Sequence, residues 1–268
     1  MLVNNKFHIQ VKKAIDQERK RNTLAILKDY KRLSKEYSIN VADIPNNNSS
    51  HMWDQKNFQT DFSKINNAIA HERLRIVKDM LPTINKSILN IGFGPGNLEN
   101  IFLVKNNSLI GIDWNGVDIS SKSVLNAKNK FPQYNFILSK VENLNYSSNR
   151  FDVVIALEVL EHISPKDILN VYKTIKNILK PGGMFIISIP INENLENMLS
   201  QGDNPNAHTR IYSQELISAE LNLNKFKIIS IKKLYAFKYL YNIKNFIIKI
   251  FPFFRKPNNL ILVSINEK

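Results

Sequence analysis

Between residues 86 and 190, short apolar runs alternate with helix-patterned segments, and this alternation restricts the fold more than any other feature. The runs are SILNI (87–91), WNGVDI (114–119), YNFIL (134–138), FDVVIAL (151–157) and MFIISIP (184–190). They lack the strict in–out alternation of a strand with one wet face, so both faces are expected to be buried. Helical patterns at 97–105, 120–130 and 164–179 separate them. Strands and helices in such a series predict a doubly wound α/β fold, a parallel sheet with helices on both faces. A helical segment at 64–81 precedes the first run and stops near Pro82. After Pro190 the pattern predicts helices at 193–200 and 213–222, then strands FKIISIKKL (226–234) and LILVSI (260–265).

The 268 residues suit one large domain with an appendage. The absence of cysteine excludes a disulfide framework, a thiolate metal site and a cysteine nucleophile. No apolar run reaches the length of about 18 residues that a membrane-crossing helix needs, and the first residues carry no secretory-type run. The formal net charge of +14 points first to nucleic acid or an anionic membrane. Its placement narrows that. Residues 1–50 hold 10 basic and 5 acidic side chains, residues 225–268 hold 10 and 1, and residues 51–224 balance at 17 and 17. Lys outnumbers Arg 29 to 8, the usage of an AT-rich genome, which disfavours nucleic acid as the partner.

Residues 6–38 have the loose 3–4 apolar spacing of a long charged helix, and DIPNNNSS (43–50) has the composition of a linker. LYAFKYLYNIKNFIIKIFPFFRK (234–256) is expected to be helical up to Pro252, with Lys238, Lys244 and Lys249 beside a broad apolar surface. It either packs over the site or makes a peripheral contact with an anionic membrane, and packing is the preferred reading. The expected division is a basic helical extension and linker (1–50), a central domain (51–235), and a basic helix with the final strand (236–268).

The first strand runs into Gly92-Phe93-Gly94-Pro95-Gly96-Asn97 and then a helix. Glycines let backbone approach a ligand closely, and the helix start offers free N–H groups. The dinucleotide fingerprint asks for glycine three residues after the second, where Asn97 stands. Asp118 ends the second strand, where a carboxylate can accept both hydroxyls of a ribose; its bland alternative is a helix cap before Ser120.

In these residues the chain resembles the class I S-adenosylmethionine-dependent methyltransferases, over roughly 65–235. ILNIGFGPGNLE (88–99), GVDISSKSVLNAK (116–128), VENLNY (141–146), FDVVIALEVLEHI (151–163) and LKPGGMFIISIP (179–190) are similar to that family's motifs, in order. LEVLEHI and LKPGG resemble the small-molecule branch with the ubiquinone-type O-methyltransferases. The resemblance implies a mostly parallel seven-stranded sheet with an antiparallel last strand, and S-adenosyl-L-methionine as cofactor. It also implies roles. Gly92, Phe93, Gly94 and Gly96 would wrap the methionine part, and Asp118 would hold the ribose with Ile119 against the adenine. Val141 and Glu142 would lie beside the adenine, and Leu157 and Glu158 would face the methionine amino group. Asn90 stands where the family has an acidic residue for the cofactor's ammonium, so weaker cofactor binding is expected.

His162 is the first candidate for a base that takes a hydroxyl proton, and Glu161 would be structural or orienting. In NPNAHTRIYSQELISAEL (204–221), His208 is a second candidate base and Arg210 a candidate for an anionic group on the acceptor, unless both only tie the loop to the sheet. His51-Met52-Trp53 forms a lid or anchors the linker, and INEN (191–194) lines the mouth. The linear sequence has no metal-ligand spacing, so no metal is expected. The expected activity is methyl transfer, preferentially to oxygen, on a small molecule: a sugar, a nucleotide- or lipid-linked glycan precursor, or a quinone-like ring. The alternatives are an RNA or protein methyltransferase, or a non-catalytic cofactor-binding or membrane-associated protein. A cytoplasmic location, at the inner membrane face if 234–256 docks, and a homodimer through the N-terminal helix complete the expectations.

Overall fold

The computed structural model describes residues 13, 48–59, 68–104, 109–164, 166–193, 197, 207–237 and 239–268. Apart from residues 13, 193 and 197, the expected helices at 6–38 and 193–200 lie outside the described residues, as do most of the 43–50 linker and Lys238.

Helices α1 (Ser50–Gln59) and α2 (Ala68–Met80) lead into β1 (Ser87–Ile91) and α3, one α-helical turn (Asn97–Glu99) continued by a π-helical turn (Asn100–Val104). Next come β2 (Asp113–Asp118), α4 (Ser121–Lys130), β3 (Asn135–Leu138), β4 (Phe151–Leu157) and α5 (Ile168–Ile178). The chain ends with β5 (Leu179–Pro190), α6 (Gln214–Leu223), β6 (Phe226–Leu234), α7 (Tyr241–Ile250) and β7 (Asn259–Asn266). The seven strands lie in the order β3-β2-β1-β4-β5-β7-β6. β7 runs antiparallel to both neighbours, and the pairs among β1 to β5 are parallel. This is the expected Rossmann-like fold.

The continuous apolar runs are explained by two cores, one on each face of the sheet. In β1, Leu89 joins Val154, Ile187 and the inner face of α5, while its neighbour Ile88 joins Val153, Ile186 and Val77 of α2. Burying each such side chain stabilises the fold by about 1.5–3 kcal/mol, so neither face tolerates a polar residue without a partner. α5 fits its core through Ile168, Val171, Tyr172, Ile175 and Ile178, a helical stripe. α4 and α6 start at Ser120 and Ser213, whose hydroxyls accept from the N–H groups of Ser123 and Leu216, each at 3.1 Å.

Two expected boundaries need correction. β5 starts five residues early: Leu179 pairs with Phe151, then Lys180–Gly183 bulge before Met184 pairs with Val153. The expected helix over 234–251 is shorter than the pattern suggested. Leu234 still pairs with Asn259, and helix begins only at Tyr241, behind Leu240 in a left-handed conformation.

Chain order reverses between β1 and β4: β2 and β3 build outward on one side, β5 to β7 on the other. Ligands of open α/β sheets bind at the strand carboxyl ends beside such a switch point.

Candidate functional site

A cavity of about 1430 Å³ opens at that point. It exceeds the roughly 300–1,000 Å³ of a single small-ligand pocket, leaving room for a cofactor and an acceptor together. Its floor is the turn after β1, where Gly92, Gly94 and Gly96 have φ of 63°, 54° and 79°. A Cβ on Gly92 would lie 2.6 Å from Val159 Cγ2, so only glycine fits there. Gly94 N–H donates to Asp118 Oδ2 at 2.7 Å, and Ser120 N–H donates to Asp118 Oδ1 at 2.8 Å. Ser120 caps α4, so Asp118 is freed for the cavity. Burial raises its carboxyl's affinity for a proton, and the backbone donors oppose that.

Asn90, Gly92, Phe93 and Gly94 line this cavity with Asp118 and Ile119. Val141, Glu142, Leu157 and Glu158 line it from the far side. Gly96 is not in the lining; it starts α3. The Phe93 ring packs edge-on against Phe136 at 5.2 Å, so its contribution to the cradle is backbone. These residues fit an adenosyl cofactor: a side-chain-free glycine turn that lets backbone approach closely, a carboxylate at the ribose position and an apolar wall.

Asn90 has an unexpected partner. Its Nδ2 donates to Glu99 Oε1 at 2.8 Å, as does Trp114 Nε1 at 3.2 Å. Glu99 is wholly buried and its Oε2 has no hydrogen bond. Desolvation lifts its carboxyl from 4.5 to about 7. The acidic group of the region thus sits behind residue 90 rather than at it. The folded-state value is raised, so the stability contributed by the neutral acid is complete below pH 4.5 and is lost as pH rises through 7. Glu99→Gln stays neutral at every pH. It should therefore gain on wild type by about 3 kcal/mol between pH 4 and 8.5, at 1.36 kcal/mol per pH unit. Urea midpoints across that range check this; a stability difference independent of pH would contradict it.

Glu158 leaves β4 with φ 55°. Its Oε1 accepts from Ser188 Oγ and Asn259 Nδ2, both at 2.8 Å, and Oε2 pairs with Arg73 Nη1 of α2 at 3.0 Å. Glu158 therefore faces the cavity as a carboxylate oriented from three sides.

The following 3-10 turn, Leu160–His162, carries the candidate base. His162 Nδ1 lies 3.3 Å from the Ala207 carbonyl, which can only accept, so Nδ1 carries the hydrogen and Nε2 keeps its lone pair. Burial, reinforced by His208, lowers its pKa to about 3, so the imidazole is neutral at any ordinary pH. Trp53 of α1 packs edge-on against it at 5.0 Å. Asn48 ties the two together, donating to the His162 carbonyl at 3.0 Å and accepting from Trp53 Nε1 at 2.5 Å. Asp54 clamps α1 onto α4 by accepting from the Ser120 and Ser121 hydroxyls and the Lys122 N–H. Trp53 is therefore part of the cavity wall, while His51 is exposed.

Glu161 Oε1 stands 3.9 Å from His162 Nε2, and among the described residues neither of its oxygens has a hydrogen-bond partner. Burial, with Glu158 nearby, holds this carboxyl well above the usual range. His208 Nδ1 lies 2.9 Å from Glu193 Oε2, and the two imidazoles are 4.9 Å apart. Ligand atoms of Glu161, His162 and His208 lie within 4.8 Å of one another, a grouping able to hold a cation. The fold brings these side chains together from two loops far apart in sequence, which is why no ligand spacing is legible in the linear chain.

Residues 89–187 match the family model described as a methyltransferase domain. Residues 89–187 thus carry a methyltransferase domain. The chain is 30% identical over 128 residues to a ubiquinone biosynthesis O-methyltransferase of Coxiella burnetii, covering 46% of this chain and 51% of that one. It is 27% identical over 144 residues to one from a Bradyrhizobium species, covering 51% and 55%. The chain thus spans about half the length of the curated relatives it matches. Among solved structures, the N-methyltransferase NodS of Bradyrhizobium japonicum, in complex with S-adenosyl-L-homocysteine, is similar with a TM-score of 0.59. It is 10% identical and covers 82% of this chain and 100% of that one. The cyclase SpnF is similar at 0.54 with 17% identity, covering 72% and 79%. At these identities the likeness is one of fold.

The methyltransferase domain does not present Arg210 to its cavity, which corrects the expected acceptor-binding role. Arg210 is 1% exposed and its Nη2 pairs with Glu220 Oε1 of α6. Tyr172 and Tyr212 donate to Glu220 Oε2, each at 3.0 Å. The buried carboxylate needs a cation, and Arg210 supplies it. The warning lay in the sequence: Glu220 falls among Leu216, Ile217 and Leu221 on the inner side of α6. Arg73, Glu99 and Asp54 were not foreseen, and only Arg73 stands in the cavity wall.

Proposed function

We propose that this chain transfers a methyl group from S-adenosyl-L-methionine to a hydroxyl of a small acceptor, most directly a phenolic, quinone-like ring. The reading is carried by one observation: the glycine cradle with Asp118 and the neutral His162 border the same cavity. The names of the curated relatives support oxygen as the accepting atom.

The bound cofactor supplies an activated methyl carried on a sulfonium cation. The Asp118 carboxylate, oriented by the Gly94 N–H, would hold its adenosine end, and Glu158, fixed by Arg73, Ser188 and Asn259, would hold the methionine end. His162 Nε2 accepts the acceptor's hydroxyl hydrogen, which aims the oxygen at the methyl carbon. As the acceptor oxygen takes the methyl, its proton would pass to Nε2. The site holds one positive charge before the transfer and one after, so a buried imidazolium adds no net charge. Alignment then supplies most of the rate.

Asp118→Asn and Asp118→Ala should weaken cofactor binding about 10- to 100-fold, the loss of charge-assisted hydrogen bonds at about 1.5–3 kcal/mol. Calorimetric titration checks this, and unchanged affinity would sink the assignment. The acceptor class is tested by S-adenosylhomocysteine release with catechol-type rings against sugar hydroxyls.

A further inference from the structure

The segment between β6 and β7 presents a surface that a freely soluble protein seldom shows. α7 is anchored by one side: Asn245 and Ile248 are buried, and the Tyr241 hydroxyl and Asn245 amide donate to Glu72 of α2. Its other side carries Ile243, Phe246, Ile247 and Ile250 at i, i+3, i+4 and i+7, exposed by 59, 66, 45 and 55%. An ordinary surface helix turns that stripe inward. Beyond it, Phe251, Phe253 and Phe254 cluster on one another with centroids 4.6–6.1 Å apart. Phe253 and Phe254 remain 76 and 71% exposed. An apolar area of this kind marks a contact surface.

Charge selects the occupant. Lys244, Arg255 and Lys256 are exposed beside the aromatics, and residues 225–268 hold 10 basic side chains against one acidic. Residues 1–50 are themselves basic, 10 against 5, so that end of the chain does not complement the patch. A second copy would set two cationic faces together. Aromatics and aliphatics rimmed by cations are the composition of helices that lie in the interface of an anionic bilayer. Among the described residues no helix is long and apolar enough to cross a membrane. The patch also adjoins the cavity: Phe237, Leu240, Tyr241 and Arg255 belong to its lining.

We propose that residues 239–256 dock this chain on an anionic lipid surface with the cavity mouth toward the bilayer, so that the acceptor enters from the lipid phase. Docking stands independently of the chemistry; the acceptor's route rests on the methyl-transfer reading.

Vesicle co-sedimentation tests docking without cofactor or acceptor. Wild type should pellet with equimolar phosphatidylglycerol–phosphatidylcholine vesicles, stay in solution with phosphatidylcholine alone, and release as salt rises. Phe246→Ser/Phe253→Ser/Phe254→Ser, all at exposed sites, should bind about tenfold more weakly or worse. Lys244→Glu/Arg255→Glu/Lys256→Glu should lose the preference for anionic lipid. The proposal is overturned if wild type ignores the mixed vesicles at low salt, or if the aromatic variant binds as wild type does. It is equally overturned if those aromatics drive dimerisation in sedimentation and vesicles leave the dimer intact. Cofactor affinity and transfer to a water-soluble acceptor, measured without vesicles, report on the catalytic reading alone.

Discussion

His162→Ala is expected to lower methyl transfer by about 10²- to 10⁴-fold, the usual worth of a positioned general base, while cofactor affinity stays within about threefold. Single-turnover methyl transfer and calorimetry, run on the same preparations, separate the two. The pH profile is the sharper test. With the folded-state pKa lowered to about 3, the imidazole is neutral from pH 4 upward, so its own titration leaves no acid limb in kcat above pH 5. An inflection near 6.5 would mean the ring titrates as it does in water, and the buried description would fail. His162→Gln keeps an acceptor atom without a titrating ring and should recover part of the lost rate. If His162→Ala turns over normally, His162 is not the base.

The contrast between His162 and Arg210 explains what could be read from the chain alone. The strands and the glycine turn follow from local composition, because apolar runs and positive-φ positions are properties of a few adjacent residues, whereas the antiparallel last strand came only from the family resemblance. Asp118 and His162 were legible because one ends a strand and the other stands in the turn that follows one, and the sheet delivers strand ends to one place. Arg210 stands in a long connection, and its environment is set by Glu220 on a helix ten residues later. Polar side chains in such loops look alike until the fold decides whether they meet water, ligand or a buried partner. Glu99 was hidden similarly: its burial depends on Trp114 of β2 crossing beneath α3. The stretch after Leu234 was read as continuous helix because its apolar spacing suits one, yet pairing with β7 outbids that propensity at its first residue.

Breaking the Arg210–Glu220 pair should have the largest effect on stability. Glu220→Ala leaves a guanidinium that is 1% exposed without the carboxylate it pairs with, and it strips Tyr172 and Tyr212 of their acceptor. Removing one partner of a buried pair costs about 3–5 kcal/mol, a large part of the roughly 5–15 kcal/mol that holds a domain folded. Urea midpoints should fall accordingly, to the point of poor soluble yield. Replacing both groups by apolar residues of similar size, Arg210→Met with Glu220→Leu, removes the charge along with the pair and should cost much less than Glu220→Ala alone. The same double variant decides between the two roles open to Arg210 in the sequence. A structural arginine predicts that whatever remains folded binds cofactor and turns over acceptor as wild type does. A substrate-binding arginine predicts a raised KM for anionic acceptors in a protein of unaltered stability, and that result would return Arg210 to the site.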